Sequence, residues 1–360
     1  MTDPADLKEY EGQLVHGTEP VTRLPFGVSR AYAALSRTED PLTDPIAAQY
    51  IPTERELVTL LYESTDPIGD TRYLVTERLV RHYPDRALLL VSDRCATYCR
   101  FCFRRHFTGH GGGRISESQL DDACAFLSRT KAVREILLSG GDPLMLSDRE
   151  LEQVIGRLKQ VDPGYIIRIC TRMPVVLPSR VTGDLAHLLG SFSSLWLVIH
   201  ANHPRELTTE FQAAMRRILG AGVPILNQSV LLKGVNDDAD TLEELFRGLV
   251  QSGVKPYYLF QGDLASGTSH FRVSLARGIK LMETLRARLS GLALPTYAVD
   301  LPGGGKVPVE SALLRTEPGA YVLRGPDGGE YRYPREDERT WYFEGGGAQP
   351  RVPNGPAGAS

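Results

Sequence analysis

Between residues 87 and 289 short β-rich runs alternate with longer stretches of helical apolar spacing, and this rhythm limits the folds open to the chain more than any other feature. The runs are Ala87–Val91, Glu135–Leu138, Tyr165–Ile169, Leu195–Ile199, Ile225–Leu231 and Tyr257–Phe260. After the first interval they recur at about thirty residues, the period of a βα unit. The intervening stretches Glu117–Ser128, Asp148–Lys159, Val181–Leu189, Thr208–Leu219, Asp240–Ser252 and Leu275–Leu289 carry helical spacing. Several open on capping residues, as in "SESQL", "SDREL" and "DDADTLEEL". Six βα units predict an α/β fold, a partial (β/α)6 TIM-type barrel with fewer strands than the eight of a closed one. Its chemistry is expected at the C-terminal ends of the strands.

The flanks lack this rhythm. Residues 1–80 contain "DPLTDPIAAQYIP" and "STDPIGD" and read as a helical and irregular N-terminal extension with no catalytic part. Residues 81–290 form the barrel and 291–335 a C-terminal segment. The Gly/Pro-rich stretch at 336–360 reads as a disordered tail. A net charge of −3 supplies no basic excess for neutralising nucleic-acid phosphates. Runs such as "ALLLV" and "LWLVI" are strand-length, far short of the ~20 residues of a spanning helix. The polar, acidic start "MTDPADLKEYEGQ" is unlike a secretory signal, so no membrane association and a cytoplasmic location are expected.

Only five cysteines occur, and Cys95, Cys99 and Cys102 stand in one short stretch, "CATYCRFC", directly after the first strand. Two chemistries suit such a triplet in a reducing compartment. With His106 as a fourth ligand it could hold structural zinc, although zinc sites commonly draw on two separated ligand pairs. Alternatively, three thiolates hold a [4Fe–4S] cluster and leave one iron open to S-adenosylmethionine (SAM). The spacing Cys-x3-Cys-x2-Cys, with Tyr98 and Phe101 immediately before the second and third cysteines, is the radical SAM signature and favours the cluster. Ser139, Gly140, Gly141 and Asp142 in "LSGGDPL" follow the second strand, where paired glycines let backbone approach a ligand closely.

Across about residues 38 to 325 the chain resembles the lysine 2,3-aminomutase family, whose members combine radical SAM chemistry with pyridoxal 5′-phosphate. The resemblance is carried by "HYPDRALLLVSDRCATYCRFCFRRHF", "LLSGGDPL", "TRMPVVLPSR", "IHANHP", "NQSVLLKGVND", "PYYLFQGDLASGTSHFR" and "VDLPGGGKVPV". It implies a barrel of radical SAM type, with "SGGD" holding the amino group of SAM. Lys306 becomes the Schiff-base lysine, with the glycines before it folding closely around the cofactor, and Arg86 a ligand of the pyridoxal phosphate. His82 stands where the family has a second phosphate-binding arginine. Arg104 matches the partner of the substrate α-carboxylate, while Asp263 and Asp300 match the pair around the side-chain ammonium of lysine. Two carboxylates facing one cation form charge-assisted hydrogen bonds, and without a cation they repel. Such a pair argues against an acidic substrate and leaves L-arginine or another basic amino acid as an alternative.

His200, Asn202, His203, Asn227, Gln228 and Ser229 at later strand ends are assigned to SAM or cofactor hydrogen bonds, with core roles equally open, and Arg172 to a phosphate or SAM contact. Arg105 and Arg168 read as solvated or structural. The resemblance further implies a 1,2-amino shift started by a 5′-deoxyadenosyl radical, giving a β-amino acid with SAM regenerated. An electron donor such as flavodoxin or ferredoxin and assembly into a homo-oligomer are also implied. One departure concerns the zinc site built in lysine enzymes from a cysteine after "GVND" and cysteines near the C-terminus. This chain has Asp238 there and no cysteine beyond Cys170, so that zinc is expected to be absent. A zinc-stabilised binding protein without catalysis and a modifier of protein-bound lysine are the remaining alternatives.

Overall fold

The computed structural model describes residues 14–15, 24–110 and 112–335. The tail at 336–360 and most of the first 23 residues lie outside the described part. Seven parallel strands run in sequence order: β1 (Arg86–Ser92), β2 (Glu135–Gly140), β3 (Ile166–Thr171), β4 (Leu195–Ile199), β5 (Ile225–Leu231), β6 (Lys255–Gln261) and β7 (Thr296–Leu301). Strand β8 (Gly305–Pro308) folds back antiparallel on β7, pairing Lys306 with Asp300. At the opposite edge Leu79–Val80 and Leu74–Thr76 add antiparallel to β1. The six βα units thus fall where the repeat puts them. A further parallel strand inside the C-terminal segment extends the sheet, and a three-stranded antiparallel sheet over 313–334 follows it.

Six helices of eight or more residues link the parallel strands: α1 (Glu117–Arg129), α2 (Asp148–Val161), α3 (Gly183–Gly190), α4 (Thr209–Gly220), α5 (Ala239–Gln251) and α6 (Leu275–Arg288). Each starts at a side chain that accepts a hydrogen bond from a first-turn backbone N–H, from Ser116, Ser147, Thr182, Thr208, Asp238 and Ser274 respectively. Ser116 with Gln119 and Ser147 with Glu150 complete reciprocal capping boxes. Asp238, the residue after "GVND", is used here as the cap of α5.

The period-two alternation of the strands sorts side chains between two environments. Ile136 and Leu138 of β2, Ile167 and Ile169 of β3, and Ile225 and Leu231 of β5 are buried in the hydrophobic core, together with Leu127, Ile155, Leu158 and Phe246 from the helices. Their neighbours Glu135, Leu137 and Ser139, Arg168 and Cys170, and Leu226, Gln228 and Val230 line an interior cavity. Among its described residues the N-terminal extension holds one four-residue helix, Arg30–Ala33, and three 3-10 turns. Its polar side chains are bonded to the barrel's loops: Asp44 to Arg205, Glu56 to Arg100, Glu63 to Arg272 and Asp70 to Arg104. Among the described residues no helix is long and apolar enough to cross a membrane.

Candidate active site

The alternating inner faces of the strands, the loops after them and part of the extension enclose a cavity of about 710 Å³. Of the residues assigned from sequence, the three cysteines, Arg86, Arg104, Ser139, Gly140, Gly141, Asp142, Arg172, His200, Gln228, Asp263, Asp300 and Lys306 line it, whereas Asn202, His203, Asn227 and Ser229 do not.

Cys95, Cys99 and Cys102 sit on the loop between β1 and α1, and all are free thiols. Burial pushes the thiols of Cys95 and Cys99 up, so thiolates there need a positive partner. Arg172 is one such partner, donating from Nη1 to Cys99 Sγ at 2.7 Å. Among the described residues no three His, Cys, Asp or Glu side chains converge tightly enough to share one metal ion. A [4Fe–4S] cube takes each thiolate on a separate iron, which suits three cysteines that one loop presents to one cavity.

The "SGGD" turn has a second purpose besides facing the cavity. Gly140 has φ +113°, and a Cβ there would lie 2.3 Å from the carbonyl oxygen of Ser92; one on Gly141 would lie 2.4 Å from that of Arg94. Gly141 N–H donates to Ser92 O at 2.6 Å and Asp142 N–H to Arg94 O at 2.8 Å. The backbone whose close approach the glycines permit is therefore the entry to the cysteine loop. Asp142 points inward as well, its carboxylate accepting from Leu144 N, Thr171 Oγ1 and Arg172 N.

Lys306 lies on β8 with its ammonium 4.4 Å from the Phe260 ring centre and 5.1 Å from that of Tyr258. Its backbone N–H donates to the Tyr83 hydroxyl at 2.9 Å, tying β8 to the chain just before β1 across the open edge of the sheet. Gly305, at φ +75°, places its missing side chain 3.2 Å from that hydroxyl, so part of the triple glycine is used against the protein itself. Arg86 stacks 3.9 Å over the Tyr83 ring and pairs with Asp85 at 3.3 Å. His82 is set between the rings of Tyr73 and Tyr83, and burial lowers its pKa against the opposing charges of Asp300 and Asp70. A lysine amine above two aromatic faces, with Arg86 in the same cavity, fits a pyridine ring and its phosphate.

Asp263, from the loop after β6, and Asp300, on β7, share the cavity. Burial first, and then the negative charge of Asp300, hold the Asp263 carboxyl far above the usual carboxylate range, at about 8, while Lys306, Arg272 and Arg104 pull the other way. Arg104 donates from Nε to Asp70 at 2.7 Å and from Nη1 to Ser139 Oγ at 3.4 Å.

Asn202 takes the core role that the sequence left open beside cofactor binding. It is fully buried and absent from the cavity wall. Its Nδ2 donates to Gln49 Oε1, its Oδ1 accepts from Val230 N–H, and its backbone is held by Glu206 and Asn236. It also meets His200 Nε2 at 3.1 Å. Burial and Arg172 depress the His200 pKa to about 3, so that ring stays neutral. Asn227 and Ser229, of the buried parity on β5, bond instead to the backbone of Ala201. Asp70, Tyr83, Glu56 and Glu206 escaped the sequence reading; Tyr83 lies within "HYPDR" and Asp70 within "DPIGD", but no spacing reveals which partner each reaches.

Residues 89–246 match the family model described as the Radical SAM superfamily. The chain is 38% identical over 345 residues to the L-lysine 2,3-aminomutase of Acetoanaerobium sticklandii, covering 94% of this chain and 83% of that protein. It is 42% identical over 307 residues to that of Clostridium subterminale, covering 85% and 73% respectively. A glutamate 2,3-aminomutase of Clostridioides difficile is 36% identical over 303 residues, covering 84% of this chain and 71% of that one. On this similarity, and with its cysteine triplet at the end of the first strand of a partial barrel, the chain belongs to the lysine 2,3-aminomutase family of radical SAM enzymes.

Proposed function

We propose that the protein is an L-lysine 2,3-aminomutase, moving the α-amino group of free L-lysine to the β-carbon. The family's cofactors are a [4Fe–4S] cluster, SAM and pyridoxal 5′-phosphate. Cys95, Cys99 and Cys102 would hold the cluster; Ser139, Gly140, Gly141, Asp142, His200 and Gln228 the SAM side of the cavity; Lys306 and Arg86 the pyridoxal phosphate. When bound, these groups supply the radical that removes a β-hydrogen and returns it, and the aldehyde carbon that carries the migrating nitrogen.

The chain's own residues bind and orient. Arg104, its Nε engaged by Asp70, has Nη2 and part of Nη1 for a substrate carboxylate. Asp263 and Asp300 receive the side-chain ammonium, which relieves the repulsion between them. Lys306 would hold the cofactor aldehyde through its Nζ, beside the rings of Phe260 and Tyr258. Leu137, Val198, Leu226, Val230 and Leu301 make much of the wall apolar, which keeps water from a reactive radical.

The observation that carries the choice of substrate is that Asp263 and Asp300 line one cavity, where they would repel the side chain of glutamate. Anaerobic incubation with all three cofactors and dithionite, offering L-lysine, L-arginine and L-glutamate separately, tests it. β-Lysine is the expected product; β-glutamate or β-arginine in its place would overturn the assignment. A one-electron donor of the flavodoxin or ferredoxin class, a cytoplasmic setting and a homo-oligomeric assembly belong to the same proposal.

Asp70 supplies a further test. In D70N the amide oxygen still reaches Arg104 but without charge, so KM for L-lysine should rise about three- to tenfold with kcat little changed. Inhibition by 1,5-diaminopentane, which has no carboxylate, should stay the same. Equal weakening of both would remove Asp70 from carboxylate binding.

A further inference from the structure

Arg172 was assigned from sequence to a phosphate or SAM contact, yet its guanidinium is spent elsewhere. Nη1 donates to Cys99 Sγ at 2.7 Å. Nη2 donates to the Tyr32 hydroxyl at 2.8 Å, to Gln49 Oε1 at 2.5 Å and to Glu206 Oε1 at 2.9 Å. The guanidinium carbon lies 5.1 Å from the Tyr32 ring centre and 5.2 Å from that of Phe101. Its backbone N–H is fixed to Asp142 Oδ2 at 2.8 Å, so the root of the side chain is held as firmly as its tip. The side chain is 8% exposed and that of Glu206 0%, which leaves little water to screen either charge. Glu206 in turn is held by the backbone N–H groups of Asn202 and His203 and by the Tyr32 hydroxyl.

We propose that the Arg172–Glu206 pair sets the reduction potential of the cluster, acting through the hydrogen bond from Arg172 to Cys99. The proposal rests on the reading of Cys99 as a cluster thiolate. Reduction moves one electron from an external donor onto the cluster, with no bond made or broken and no proton taken up, so the cluster and its thiolates become more negative by one charge. A fixed cation donating to one of those sulfurs favours the reduced form and raises the potential; hydrogen bonding to sulfur is an established lever on such clusters. Glu206 stands behind the cation and partly cancels it. The two buried charges therefore push the potential in opposite directions, and Tyr32 and Gln49 from the N-terminal extension fix the geometry in which they do so.

The opposed signs separate this role from a structural one. Wild type, R172M, R172K and E206Q are reconstituted anaerobically, iron and sulfide are counted, and each is titrated with dithionite while the reduced cluster is followed by EPR in the absence of SAM. R172M should shift to more negative potential by about tenfold in the reduction equilibrium, or 59 mV for one electron. R172K should recover part of the shift, and E206Q should move to more positive potential. A fully loaded R172M with the wild-type midpoint overturns the proposal, as does a shift of R172M and E206Q in the same direction. If R172M fails to retain iron, E206Q decides: a positive shift supports the proposal, and no shift or a negative one overturns it. Unchanged iron binding in C99A would sink instead the reading of Cys99 as a ligand.

Discussion

Glu56→Ala is expected to destabilise the protein by about 3–5 kcal/mol, the usual cost of removing one partner from a buried ion pair. Glu56 lies in the N-terminal extension, and its side chain and that of Arg100 are both 0% exposed. Arg100 Nε and Nη2 donate to the two carboxylate oxygens at 2.8 and 2.7 Å, and Arg105 Nη2 adds a third contact at 3.0 Å. Arg100 directly follows Cys99, and its backbone N–H donates to Gln49 O at 2.9 Å, so this carboxylate anchors the cysteine loop to the extension. E56A leaves two guanidinium groups without it in the interior. Urea denaturation should show a lower midpoint, and reconstituted protein should hold less iron. An unchanged midpoint with full iron content would mean that the loop is anchored by other contacts.

Asp263→Asn should raise KM for L-lysine about 10- to 100-fold, because a hydrogen bond to a charged group contributes about 1.5–3 kcal/mol. Asp300→Asn should act in the same direction, and the two together by less than the product, since they share one cation. The pH dependence follows from the raised Asp263 carboxyl. Below about 8 it keeps its proton and cannot fully receive an ammonium, whereas lysine's own ammonium stays charged to about 10. kcat/KM should therefore rise by up to about tenfold per pH unit on approaching 8 and level off above it. D263N should abolish that limb. Stability of the ligand-free protein runs the opposite way. Between the ordinary carboxylate value of about 4 and the folded value, the folded state holds a proton that the unfolded chain has released, so stability falls as pH rises through that window. D263N should lessen the fall. A pH profile of kcat/KM identical in D263N and wild type would remove Asp263 from substrate binding.

The units of the barrel were legible because local and global signals agree in them. Ser116, Ser147, Thr208 and Ser274 mark helix starts, apolar positions recur at helical spacing, and strand parity separates Ile225, Asn227, Ser229 and Leu231, facing the core, from Leu226, Gln228 and Val230, facing the cavity. Strand parity alone would have told Gln228 from Asn227. The strand Thr296–Leu301 was absorbed into the cofactor segment because the lysine motif overlaps its end. Asn202 looked like a ligand because polar residues at strand ends face both ways, and only its bonds to Gln49 and Val230 reveal which way it faces. The extension was read as passive. Its contributions, Glu56 to Arg100, Asp70 to Arg104, and Tyr32 and Gln49 to Arg172, join residues far apart in sequence, and nothing local in "EREL" or "DPIGD" encodes such a partner. Likewise the glycines of "SGGD" announce close approach, but not that the nearest neighbour is the chain at Ser92–Arg94.

The migration itself can be followed with a nitrogen label. L-Lysine carrying ¹⁵N only on its α-amino group would be incubated anaerobically with the reconstituted enzyme, SAM, pyridoxal phosphate and dithionite, and the product examined by ¹³C–¹⁵N NMR. The label should appear on carbon 3, with carbon 2 now a methylene group and no loss of label to ammonia. Recovery of the label on carbon 2 alone, or as free ammonia, while 5′-deoxyadenosine accumulates, would contradict an aminomutase acting on lysine.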